Sequence, residues 1–342
     1  MVKPMNQTVD TILESVFSGL TPKQRRVVVA RFGLKNGSPS TLQEIGNELG
    51  ITRERVRQIE NHTIKKISDR AADEARELIR EAMNELKRSG GVRRSDELIA
   101  ALLETNRAGA GKHFAEKAAF LFIAAGSPGF EKETDEMHAY WYADEAAKRR
   151  FTDMVKKITA FFKAAKKDDV LVGKKHLGAF PDFGTYAFLS IPKHFGTNVF
   201  GDFGLRAWTE IEPKTIRDKA YLVLKKHGKP LHFEDIAKYI TKFGIDSRTA
   251  HVQTVHNELI KDKRFVLVGR GIYGLGEHGY EPGTVKDVIV KLLKKNGPME
   301  ANQVVSLVNE QRILKQNTIL LSLQNKRHFR KLSDGRYHVN EA

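Results

Sequence analysis

The sequence predicts a mainly α-helical protein: an N-terminal helix-turn-helix domain followed by tandem winged helix-turn-helix domains with short β-hairpin wings. Three observations predict it. Near the start, paired capping signals and a glycine turn bracket short stretches whose apolar residues recur at helical spacing. The C-terminal half repeats itself, each copy reading as helix, short helix, helix and two short strands. A chain of 342 residues also exceeds what one compact core normally spans.

The first helix signal is Thr21-Pro22-Lys23-Gln24, with Thr21 as cap, Pro22 where a missing N–H costs nothing, and Gln24 closing a capping box. This helix carries Val27, Val28 and Phe32 inward and ends near Gly33; a loop with Gly37 and Pro39 follows. Thr41 and Glu44 form a second capping box, ahead of a short helix with Leu42, Ile45 and Leu49 on one face and Gly50 at its end. Thr52 caps a third helix that turns Val56, Ile59 and Ile67 to the core. Its other face shows Arg53, Glu54, Arg57 and Gln58, spaced so that they point the same way. Arginine forks onto guanine, glutamine onto adenine, and glutamate accepts from cytosine, so the set suits base reading in a major groove. An arginine-rich solvated face would carry the same charge pattern.

The string from Leu20 to Ile67, with ARFGL, TLQEIG and TRERVRQIE, closely resembles region four of sigma-seventy family (housekeeping) sigma factors. The resemblance implies that the helix after Thr52 reads a −35 promoter element through Arg53, Glu54, Arg57 and Gln58. It implies phosphate contacts from Lys23, Arg31, Thr41 and Leu42, with Arg55 facing phosphate or a protein partner. It also implies docking on the β flap of core RNA polymerase through the surface around Phe32 and Leu34. About twenty residues precede the match and hold one aromatic, Phe17, so the family's upstream segment that opens the −10 element is not expected here.

Residues 68–90 read as a connecting helix, with Ala71, Ala75, Leu78, Ala82 and Leu86 on one stripe and Gly90-Gly91 at its end. Three alanines make a poor dimer seam, so the stripe is expected to pack on its own chain or to act as a spacer. Beyond it, Arg94–Leu103, Lys112–Ala124 and the strand-like Met137–Ala143 suggest one winged helix within 91–150. Helical stretches at Phe151–Lys167 and Thr185–His194, then Gly201–Leu205 and Trp208, suggest another within 151–210. The alternative is one irregular helical domain with Trp141, Trp208 and the phenylalanines as core.

The repeat is clearest in residues 211–280 and 281–342. Thr215-Ile216-Arg217-Asp218 recurs as Thr284-Val285-Lys286-Asp287, Lys225–Gly228 as Lys294–Gly297, Lys261–Phe265 as Asn325–Phe329, and Gly271–Gly274 as Gly335–His338. The stretch from about Pro213 to Glu277 resembles the HARE-type winged helix, a family that includes the N-terminal domain of the RNA polymerase delta subunit. That resemblance implies binding of DNA or polymerase and no catalysis. The third helix of the first copy is expected after Asp246-Ser247, exposing Arg248 and His251, with Arg270 at the wing tip; that of the second copy starts near Lys315-Gln316-Asn317.

Composition agrees with a nucleic-acid partner. The formal net charge of +16 and pI of about 9.7 favour polyanions. The absence of cysteine excludes disulfides, thiolate metal sites and a cysteine nucleophile. No apolar run approaches a membrane span, and Met1–Asp10 lacks the character of a signal peptide, so a cytoplasmic, nucleoid-associated protein without a membrane partner is expected. There is no GxxxxGK[ST], HExxH or GxSxG, and the glycines at 269–276 sit in a strand turn; no enzyme activity, metal or cofactor is expected. The expected function is a DNA-binding transcription regulator or sigma-like factor that recognises a −35-type element in double-stranded DNA. The alternative is a polymerase-associated, delta-like accessory factor that acts by protein docking.

Overall fold

The computed structural model describes residues 8–106, 109–171, 186–246 and 248–340. It divides into two compact units, Met1–Gly196 and Thr197–Ala342. Both are helical with small antiparallel sheets.

The first unit opens with α1 (Val9–Phe17), α2 (Pro22–Arg31), α3 (Leu42–Leu49) and α4 (Arg53–Glu74). Local chemistry sets these ends. The Gln24 amide N–H donates to the Thr21 hydroxyl and the Thr21 N–H donates back to Gln24 Oε1; Thr41 and Glu44 repeat the device. The Arg55 N–H donates to the Thr52 hydroxyl at the head of α4. Each such cap stabilises its helix by about 1 kcal/mol. Val27, Ile45 and Val56 form the small core that clasps α2, α3 and α4 together.

The connecting helix departs from expectation. The recognition helix α4 itself runs on to Glu74, and Ala75 (φ −90°, ψ 12°) separates it from α5 (Arg76–Arg88). Then come β1 (Val92–Arg94), α6 (Ser95–Thr105), α7 (Phe114–Ala125), β2 (Gly129–Glu131) and β3 (Tyr140–Tyr142). The sheet order is β1-β3-β2, with Trp141 facing Arg93 on one side and Phe130 on the other. Helix, strand, two helices and a hairpin in this order make a winged helix, and α5 is its first helix rather than a spacer. The alanine stripe is occupied within the chain: Ala71, Ala75, Leu78, Ala82 and Leu86 are all fully buried.

One hydrophobic core runs through α1, α4, α5, α6 and α7 and reaches Trp141, across the expected boundaries at 67/68 and 90/91. Trp141 lies between Phe122 and Phe130, with ring centroids 5.4 and 4.4 Å away, and its indole N–H donates to Ser95 Oγ at 2.9 Å. The buried Lys117 ammonium ties α7 to α1 by pairing with Asp10 and donating to the Lys112 carbonyl at 2.6 Å. Phe17, the single aromatic ahead of the helix-turn-helix, packs in this core on Phe120.

Helix α8 (Glu145–Ala164), capped by Asp144, buries Ala147, Phe151, Val155, Ile158 and Phe162 along one stripe. The short α9 (Lys167–Leu171) holds Asp168 and Asp169 in its first turn. Of the expected helix at 185–194, Thr185 lies outside the described residues and a 3₁₀ turn occupies Tyr186–Ser190. The expected wing at Gly201–Leu205 supplies β5 (Phe203–Leu205), paired with β4 (Phe195–Thr197). Gly204 is needed there, since a Cβ would come within 2.8 Å of the Trp208 ring.

The second unit holds the repeat. Its first copy is α10 (Ile216–His227), β6 (Leu231–His232), α11 (Phe233–Lys242), α12 (Val252–Lys261), β7 (Phe265–Gly269) and β8 (Ile272–Leu275), with sheet order β6-β8-β7. The second is α13 (Val285–Asn296), α14 (Ala301–Gln311), α15 (Gln316–Leu323), β9 (Phe329–Lys331) and β10 (Tyr337–Val339). Met299 bridges Tyr337 where Leu231 pairs with Tyr273, so the third strand survives there as a single bridge. Ile236, Ile240, Val255, Leu259 and Phe265 in one core match Val304, Val308, Ile319, Leu323 and Phe329 in the other. The link before the third helix shortens from residues 243–251 to 312–315. That shorter link docks on the first copy: the Ile313 N–H donates to the Val268 carbonyl at 2.7 Å. The buried Arg312 donates to the carbonyls of Glu281 and Gly283 at 2.6 and 3.0 Å.

Candidate nucleic-acid interface

The turn between α3 and α4 is tight because two glycines allow it. Gly50 ends α3 at φ +63°, and the Ile51 N–H donates to the Gly46 carbonyl at 3.0 Å. A Cβ on Gly46 would lie 2.7 Å from the Ile51 carbonyl oxygen, closer than any side chain tolerates. With Val27, Ile45 and Val56 locked beneath, the first turns of α4 project from the surface at a fixed angle.

Arg53, Glu54, Arg55, Arg57 and Gln58 are all exposed on those turns. They are also organised. Arg57 forks onto Glu54, Nε to Oε2 at 2.9 Å and Nη2 to Oε1 at 2.7 Å. The Arg57 hydrogen bonds hold the Glu54 carboxyl below the ordinary carboxylate range. Arg55 leans to the other flank and donates from Nη1 to Gln58 Oε1 at 3.0 Å. A groove there brings Lys23, Arg55, Gln58 and His62 together, joining the start of α2 to α4. His62 is absent from the residues expected of this site, although it lies one turn beyond Gln58 and two beyond Arg55, a spacing that points to it.

The remaining expected residues fall into two groups. Arg31 is a brace: it donates to the Ser40 carbonyl at 3.0 Å and lies 3.5 Å from Glu60. Thr41 caps α3, and Leu42 is half-buried against the helix-turn-helix core. Phe32 and Leu34, the expected polymerase-docking pair, face inward. Leu34 is 5 % exposed, and Phe32 packs edge-on against Phe120 of α7 with centroids 5.0 Å apart. Their own chain covers them, because α7 lies along α4.

In the second unit Arg248, His251 and Arg270 are exposed. Helix α12 begins at Val252, a few residues later than expected, with His251 as its cap; Ser247 lies outside the described residues. Arg248 stands in the preceding loop, its N–H donating to Asp246 Oδ1 at 3.1 Å, and Arg270 occupies the two-residue turn between β7 and β8. Helix α15 begins at Gln316, as expected. Among the described residues no cluster of three His, Asp or Glu is placed to hold a metal ion, and no helix is long and apolar enough to cross a membrane.

Fold and site together define a helix-turn-helix protein with winged helices and an exposed, polar third helix of the kind that enters a DNA groove. Comparison with known proteins agrees. Residues 16–69 match the family model described as Sigma-70, region 4, and residues 214–277 match the HARE-HTH family model, described as a restriction endonuclease HTH domain. The RNA polymerase sigma-C factor of Nostoc sp. is 38% identical over 82 residues, which is 24% of this chain and 19% of that protein. The RNA polymerase sigma factor SigA of Clostridium acetobutylicum is 44% identical over 55 residues, 16% of this chain and 15% of that protein. The chain thus spans at most about a fifth of the length of these curated relatives.

Proposed function

We propose that this protein is a DNA-binding transcription factor without catalytic activity that recognises a −35-type promoter element through the head of α4. Arg53, Glu54, Arg57 and Gln58 read base edges, while Lys23, Arg55 and the capped start of α3 at Thr41 and Leu42 position the duplex through its phosphates. The observation that carries the reading is the rigid, exposed polar face on α4 above the glycine turn. The matched Sigma-70 region 4 model and the two sigma-factor relatives support it. Arg248, His251 and Arg270 would extend the contact along the same duplex, and linked weak contacts sum to tight binding. Six domains in the order 1–67, 68–90, 91–150, 151–210, 211–280 and 281–342 are replaced in this reading by a helix-turn-helix and winged helix sharing one core, the segment around α8, and the terminal pair of winged helices.

Inward-facing Phe32 and Leu34 favour DNA reading over the alternative of polymerase docking through that pair. Selection of bound sequences from a random duplex pool at about 0.15 M salt tests the proposal, using the intact protein and Arg53→Ala. A TTGACA-like motif that disappears in the variant is the expected result. No enriched motif, together with nuclease-resistant capture of core polymerase, would replace this reading by the accessory-factor one.

A further inference from the structure

The two winged helices of the second unit are one fold built twice, so each copy shows which residues the other copy's fold can do without. From the third helix onward their core residues pair at a constant offset: Val255 with Ile319, Leu259 with Leu323, Phe265 with Phe329, Tyr273 with Tyr337. The same offset pairs Asp262 with Lys326, Lys263 with Arg327, Val266 with Arg330, and Leu267 with Lys331. One acid, one base and two apolar residues in the first copy become four cations in the second.

Nothing in the fold asks for those cations. In the first copy Asp262 serves a local purpose, accepting from Arg264 at 2.7 Å, and Val266 is buried. In the second copy Lys326, Arg327, Arg330 and Lys331 are all exposed. None has a carboxylate within ion-pair distance among the described residues. Asp334, the one acid between Asn325 and Asn340, is taken by Arg336 at 2.6 Å. Lys326, Arg330 and Lys331 rim an open groove over Phe329 and Tyr337, with the Lys331 ammonium 5.8 Å from the centre of the Tyr337 ring. Four like charges on one short hairpin repel one another unless a polyanion neutralises them.

We infer that the β9–β10 hairpin, with Lys326 and Arg327 just ahead of it, is a second, sequence-independent contact for the phosphate backbone of duplex DNA. Phe329 is buried and Tyr337 half-buried, so the groove offers no exposed ring for stacking single-stranded bases, and the four cations are suited to backbone phosphates. The inference rests on the reading that the chain binds DNA but not on which sequence α4 recognises.

The test titrates the full chain with a random-sequence duplex and with the motif-bearing duplex over a range of salt. One variant carries Lys326→Ala, Arg327→Ala, Arg330→Ala and Lys331→Ala; a second exchanges lysine and arginine at the same positions and keeps the charge. The alanine variant is expected to bind both duplexes more weakly by the same factor, about tenfold or more near 0.15 M salt. Its plot of log affinity against log salt should flatten by about 0.9 for each phosphate no longer neutralised. The charge-keeping variant should bind as the unaltered protein does. Arg53→Ala, by comparison, should erase sequence preference and leave the salt slope on random duplex in place. An unchanged slope in the alanine variant, equal weakening in the charge-keeping variant, or an effect confined to anionic lipid vesicles would each overturn the inference. A flattened slope without any selected motif would keep the hairpin contact and remove the −35 reading instead.

Discussion

Helices α4 and α7 are both third helices of a three-helix motif, and the chain uses them in opposite ways. The head of α4 carries five exposed polar or charged side chains, from Arg53 to Gln58. Helix α7, where a winged helix would enter a groove, buries Phe114, Lys117, Ala118, Phe120, Leu121, Phe122 and Ala124. It spends that surface on the far half of α4, at Ile67 and Ala71, and on α1. One third helix reads and the other holds the reader in place. A winged-helix topology is therefore no guide to which helix touches DNA; the solvent exposure of its residues is.

The sharpest way to break this comparison is Phe120→Ala. Phe120 is fully buried and meets Phe17 at 5.6 Å and Phe32 at 5.0 Å. Removing a buried ring of this kind costs about 3–5 kcal/mol. If α7 is the scaffold of the reader, urea unfolding of the variant should shift as one transition and duplex binding should weaken with it. A helix-turn-helix signal that melts where it did before would mean that the two motifs are independent.

A smaller effect is expected at the head of the reader. Thr52→Ala removes the hydroxyl that accepts from the Arg55 N–H and should cost about 1 kcal/mol. Hydrogen exchange should quicken in the first turn of α4 and leave α7 unchanged. Uniform acceleration through both helices would show that the cap supports the whole core and not the reading end alone.

The smallest effect concerns pH. The folded Glu54 carboxyl is held low, chiefly by its hydrogen bonds to Arg57. Whatever that fork contributes is therefore present above the ordinary glutamate value of about 4.3 and is lost as pH falls through the lower folded value. Titration of the Glu54 side-chain carbon by NMR should give a midpoint below that of a free glutamate, and Arg57→Ala should return it to the ordinary range. A normal midpoint in the unaltered protein would mean that the fork does not persist in solution.

The caps are legible in the sequence because they are local: Thr21 with Gln24, Thr41 with Glu44 and Thr284 with Asp287 need only a three-residue spacing. The repeat in the second unit is legible because its turn residues and strand aromatics recur in order. The winged helix of residues 76–142 is harder to see. Its strands are three residues each, too short to show alternation, and its first helix looks like a spacer when only its alanines and charges are considered. His62 escapes notice for a different reason, since the groove that includes it is completed by α2.

By itself, then, the sequence determined the helix starts, the glycine turn at Gly46–Gly50, the polar face of α4 and the doubled winged helix, since each is written in neighbouring residues or in a period. Only the tertiary structure decided which apolar side chains are surface and which are core. Phe32, Leu34 and the whole of α7 are apolar in any reading; their burial depends on partners from α1, α4 and Trp141, far away in the chain. Apolar burial is non-directional and follows whatever surface is nearest in space, so no spacing along the chain records it.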